Sequence, residues 1–95
     1  MREDLSPPAR AVLRILVNAH NAEPGGRFTL AHAISRRGVL RVSHPRCNIS
    51  ISTGVFAELL RARLIAVVAV EFGYQVIEVT LRGFDYDAYM EQPDV

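Results

Sequence analysis

The chain has 95 residues, 49% of them hydrophobic, and one cysteine, which suffices for a single modest core without disulfides or metals. A formal net charge of +1 excludes a strong global field for nucleic acid, so any such binding has to come from local clustering. No run approaches the roughly 18 uncharged apolar residues of a membrane-spanning helix, and Met1-Arg2-Glu3-Asp4 lacks the basic-then-apolar order of a signal peptide. The sequence therefore predicts one domain over residues 1–95, soluble, cytoplasmic and not associated with membrane, with 1–4 and 91–95 frayed. The lone Cys47 fits a reducing compartment.

In chain order, Leu5-Ser6-Pro7-Pro8 is a helix start: Ser6 can cap, Pro7 sits where a missing N–H costs nothing, and Leu5 can staple the first turn. The helix is expected to run to about Ala19, burying Ala9, Val12, Leu13, Leu16 and Val17 and turning Arg10 and Arg14 outward. Pro24-Gly25-Gly26 ends it in a turn, and Arg27-Phe28 forms a very short strand. A second helix is expected from a Thr29 cap, with Leu30, Ala33 and Ile34 on one side and its end near Gly38. From Val39 to Cys47 either that helix extends to Leu40 before a long loop, or an extra helical turn intervenes.

The stretch from Asn48 changes period twice. Val55, Phe56, Leu59, Leu60 and Leu64 fall on one helical stripe, and Ser50, Ser52 and Thr53 stand where side-chain oxygens cap a first turn. Leu64 to Val70 and Tyr74 to Thr80 are rich in β-branched residues and flank Phe72-Gly73, so they read as an antiparallel hairpin. Leu81 to Met90 then reads as a short helix with Leu81, Phe84 and Ala88 on one face, leaving Tyr86, Tyr89 and Met90 off that stripe. The predicted core comprises Val12, Leu16, Ile34, Phe56, Leu59, Leu60, Ile65 and Val79.

A helix running into a Leu-Ile strand, a tight hairpin, and then Thr80-Leu81-Arg82-Gly83 opening a final helix resembles the second half of a winged helix-turn-helix domain. The resemblance is one of element order, with only Thr-Leu-x-Gly matched after the wing. It implies an α+β fold with a three-helix core, a β-hairpin wing that the short strand at Arg27-Phe28 joins as a third strand, and a short C-terminal helix, in which the helix around 50–63 reads duplex DNA. The segment Val39 to Cys47 departs from it, since a helix-turn-helix joins its helices by a turn of three or four residues.

All eleven basic residues are arginines, which fits a coding bias as well as a preference for groups that fork phosphate or guanine. In the implied fold Arg36, Arg37, Arg41, Arg46, Asn48, Ser50, Ser52 and Thr53 surround the recognition helix, with Arg46 and Asn48 on bases and the other arginines on phosphates. The same residues are explained by helix caps and a solvated loop; basic residues at a helix end are favoured by its dipole whatever the function.

Chemistry of other kinds is sparse. His44 and Cys47 make half a zinc site at most, and as nucleophile and base they lack a third group. Asp85 and Asp87 are not paired on one helix face, and no phosphate-binding glycine loop is present. No enzyme activity, metal or other cofactor is expected.

Two readings follow. One is a dimeric transcriptional regulator that binds double-stranded DNA, with Tyr86, Tyr89 and Met90 of the C-terminal helix in the dimer. The other is a protein–protein interaction module, such as a phage or mobile-element accessory or inhibitor protein acting on a nucleic-acid-processing complex. In that reading Phe72 and Tyr74 of the wing, with Tyr86 and Tyr89, meet a partner, and Glu71 at the wing tip repels phosphate.

Overall fold

A computed structural model describes residues 5–33 and 37–91. Its elements are α1 (Pro7–Ala22), β1 (Phe28–His32), β2 (Val39–His44), β3 (Cys47–Ser52), α2 (Thr53–Arg61), β4 (Ile65–Glu71), β5 (Tyr74–Val79) and α3 (Leu81–Glu91). The strands form one antiparallel sheet in the order β3-β2-β1-β5-β4. It is α+β, with all three helices on one face of the sheet.

Alternation decides which face is covered. Leu40, Val42 and His44 are buried while Arg41 and Ser43 are exposed; Cys47, Ile49 and Ile51 turn inward while Asn48, Ser50 and Ser52 turn outward. That period of two is the signature of a half-buried strand. On the inner face Phe28, Leu30, Ile65, Ile77 and Val79 join α1 residues Leu13, Leu16 and Val17 and α2 residue Leu59 in one core. The outer face carries the register row Asn48, Ser43, Thr29, Val76 and Ala69. Val76 is buried by its neighbours on that face and lies outside the core cluster.

The helix layer is tied together by polar contacts. Ser6 caps α1 through Oγ, which accepts from Ala9 N–H, and its own N–H and hydroxyl donate to the two Glu58 oxygens at 2.7 and 2.8 Å. Arg14 of α1 pairs with Asp87 of α3 at 3.1 Å, and His20 packs on Phe84. Thr80 caps α3, accepting from Gly83 N–H while donating to the Arg63 carbonyl. Thr80-Leu81-Arg82-Gly83 is thus a clasp holding α3 on the start of β4. Arg63, at φ +62°, makes the bend that lets α2 run straight into β4.

This arrangement overturns the winged helix-turn-helix expectation, because β1, β2 and β3 stand where its second core helix and that helix's connection to the recognition helix would be. Thr29 begins no helix: it lies in β1, and the expected short strand at Arg27-Phe28 is the start of this five-residue element, paired with β5. Val39 to Cys47 is neither loop nor helix but β2 and its turn into β3. Ser50 and Ser52 belong to a strand; the helix begins at Thr53, with Ser52 as its cap. The hairpin and the last helix fall within a residue or so of their expected bounds.

Leu16, Leu59, Ile65 and Val79 are buried, Val12, Phe56 and Leu60 are half-buried against the core, and Ile34 lies outside the described residues. Tyr86 is not left outside: it packs on the core, and its hydroxyl accepts from Leu5 N–H. Of the residues expected to fray, 1–4 and 92–95 lie outside the described residues, and Glu91 is the last residue of α3. Among the described residues no helix is long and apolar enough to cross a membrane.

Candidate functional site

The β4–β5 hairpin is an arm that outruns its helical cover. Glu71 pairs with Tyr74 across the Phe72-Gly73 turn, and Gly73 takes the positive φ of +88° that a side chain resists. Val70 lies opposite Gln75, which lies opposite Leu30, so all three share the helix-facing side of the sheet. No helix reaches that far: Val70 is 75% exposed and Phe72 is as exposed as in an isolated chain, at 103%. Burial of either ring or branched side chain would remove a large apolar area from water.

Between this arm and the first turn of α2 runs a groove of about 380 Å³. Leu30, Leu40, Phe56 and Val70 supply its apolar walls, and His32, Thr53, Glu71, Tyr74 and Gln75 its polar rim. It exists because β3 leads directly into α2: the Ser52 cap accepts from Val55 N–H and Thr53 N–H donates to the Gly38 carbonyl, so the helix leaves the sheet at that corner. Apolar walls with a few convergent polar groups are what a site for another molecule offers. A second hollow of about 540 Å³ between α1 and α3 is bridged by the Arg14–Asp87 pair.

The residues expected to contact DNA are dispersed. Arg37 is in the β1–β2 connection and Arg46 in the β2–β3 turn, at opposite ends of a six-residue strand and so roughly 20 Å apart at about 3.3 Å per residue. Arg46 pairs with Glu23 at 3.3 Å. Arg41, Asn48 and Ser50 do meet, on the outer face, where the Arg41 guanidinium donates to Asn48 Oδ1 at 3.0 Å. Ser52 caps α2, Thr53 begins it, and Arg36 lies outside the described residues. The outward side of α2 offers Thr53, Gly54, Ala57 and Arg61, with a single cation.

Of the residues expected to meet a protein, Phe72 and Tyr74 stand at the tip of the arm and Tyr89 is exposed on α3, whereas Tyr86 is partly buried. Val67, Val68 and Val70, exposed on the same arm, were not singled out by sequence reasoning. The available signal was the unbroken apolar run Ile65 to Val70, which puts apolar residues on both faces of a strand in a chain with cover for only one.

His44 and Cys47 are directly paired across β2 and β3. His44 stacks on Phe28, its Nδ1 accepts from Arg46 N–H, and its buried Nε2 faces Gly26 with no hydrogen-bond partner among the described residues. Burial pushes the Cys47 thiol up from its ordinary pKa. Among the described residues no group of three or more His, Cys, Asp or Glu side chains is placed to hold a metal ion. Comparison with known proteins finds no matching family model, no significantly similar curated protein and no significantly similar solved structure.

Proposed function

We propose that this protein is an interaction module that seats an apolar segment of a partner protein in the groove between α2 and the β4–β5 arm. The observation that carries the reading is the exposure of Val70, which lines the groove with Leu30 and Phe56, together with that of Phe72 two residues on at the tip of the same arm. A surface that presents clustered apolar side chains rimmed by polar ones is a recognition surface more often than an accident. Aromatic side chains anchor such contacts because they bury much area at little conformational cost. Tyr74, Gln75 and Glu71 on the rim supply direction and polarity to the segment accepted. Duplex DNA is the weaker reading, since among the described residues Arg37 and Arg46 lie at opposite ends of β2, Arg46 pairs with Glu23, and α2 presents one cation outward.

The test places a photoreactive benzophenone side chain at Phe72, and in a control at Ala57 on the outward side of α2, in cells of the native source. The module reading expects a discrete protein adduct from position 72 and none from 57. Equal, diffuse adducts from both positions, or adducts to nucleic acid, overturn it. Val70→Ser combined with Phe72→Ser should suppress the adduct formed by a benzophenone at Tyr74 without lowering Tm, since neither side chain contributes to the core.

A further inference from the structure

β4 is the last strand of the sheet: β5 pairs with one edge, and no described strand pairs with the other. Folded proteins blunt such edges with lysine, proline, inward charges or a bulge. Of these β4 has only a bulge, between Val67 and Ala69; from Ile65 to Val70 it has no lysine, proline or charge, Val67 and Val68 are exposed at 37% and 50%, and its one charged residue is Glu71 at the end. The opposite edge strand, β3, alternates Asn48, Ser50 and Ser52 with its core residues and shows no such apolar run.

We propose that two copies of this chain pair antiparallel along β4, about a twofold axis near Val67 and Val68, into one continuous ten-stranded sheet. The charges select a second copy as the occupant. Arg63 precedes the strand and Glu71 ends it, so antiparallel self-pairing sets each Glu71 beside the other copy's Arg63, twice by symmetry. A parallel arrangement would set like charges side by side. The bulge between Val67 and Ala69 sits at the strand centre, so the axis lays the two bulges against each other and the ladder between the copies runs on either side of them. The pairing uses the edge of the arm, whereas the groove lies on its face, so it does not rest on the groove reading.

Sedimentation equilibrium of the full chain across increasing concentrations tests this. The wild type is expected to dimerise; Val68→Lys, at a half-exposed position, is expected to be monomeric with an unchanged circular dichroism spectrum and Tm. Arg63→Glu and Glu71→Arg should each weaken the dimer roughly tenfold, because each sets two like-charge pairs across the axis. Mixing these two single variants should restore wild-type affinity as a heterodimer, which no loss of folding can imitate. A wild-type monomer at every concentration overturns the proposal and leaves the groove reading to its own cross-linking test. A dimer indifferent to Val68→Lys and to the charge exchange, or one broken only by changes on α3, also overturns it.

Discussion

The Glu58 carboxylate receives both the backbone N–H and the hydroxyl of Ser6, so a residue of α2 completes the N-terminal cap of α1. In a local capping box the acid sits three residues into the same helix; here that position is Ala9, and a distant helix supplies the charge. The two hydrogen bonds from Ser6, backbone first and then hydroxyl, and more weakly the nearby Arg61, hold the Glu58 carboxyl below its ordinary pKa. A depressed carboxylate stabilises the fold above its unfolded-state pKa, and the gain disappears as pH falls through the lower folded value. Glu58→Gln should therefore lower Tm at neutral pH and shrink the difference between neutral and acid Tm, measured by thermal melts from about pH 7 down to below the ordinary glutamate pKa of about 4.3.

Gly83 cannot be replaced. A Cβ there would stand 2.2 Å from the Leu64 carbonyl oxygen, and that obstacle is backbone that cannot swing aside. Gly83→Ala should cost roughly 1–3 kcal/mol or more. In a domain of this size that is a fall in Tm of about 4–8 °C per kcal/mol, read by calorimetry. Gly25→Ala, which meets nothing within 4 Å, is the matched control.

Leu59 and Leu60 separate in the same way. Leu59 is wholly enclosed, whereas Leu60 is half-buried at the margin of the core. Leu59→Ala should cost about 2–5 kcal/mol by urea denaturation, and Leu60→Ala clearly less.

Cys47 should be a sluggish thiol. Burial raises its pKa, so the thiolate is scarcer at any given pH than in an open chain. Reaction with a disulfide reagent at about pH 8 should be slower in the native protein than in urea, where an unperturbed thiol has a pKa near 8.5. Equal rates in the two states would contradict the burial.

Where period and cap agreed, the sequence was readable. Ser6-Pro7 opens α1 where its capping signal stands, and the β-branched runs on either side of Phe72-Gly73 are β4 and β5. The failure lies in Phe28 to Ser52. Leu30, Ala33 and Ile34 satisfy a helical spacing, yet Phe28 and Leu30 satisfy a strand equally well, and a few residues cannot separate the two. The alternation of Cys47, Ile49 and Ile51 with Asn48, Ser50 and Ser52 was in plain sight; resemblance to a helix start turned those serines into caps, and only Ser52 is one. The candidate groove was half legible: Phe72 and Tyr74 stood out as a turn tip and Arg27-Phe28 as a third strand beside that hairpin, but the pairing with β5 runs on to Leu30, where a helix was expected, and only so do Leu30, Leu40 and Phe56 come to line a groove with Val70 and Tyr74.

That seam between β1 and β5 sets how the molecule must assemble. The β1–β2–β3 meander and the β4–β5 hairpin each join neighbours in sequence, whereas Phe28 and Ile77 meet across about half the chain. Closing so long a loop loses chain entropy before any contact compensates, so non-local pairings govern folding speed while hairpins form in about 1–10 μs. The rate-limiting nucleus is then expected at the Phe28–Ile77 crossing: truncating Ile77 should slow refolding, while truncating Ile49 in the outer meander should mainly hasten unfolding.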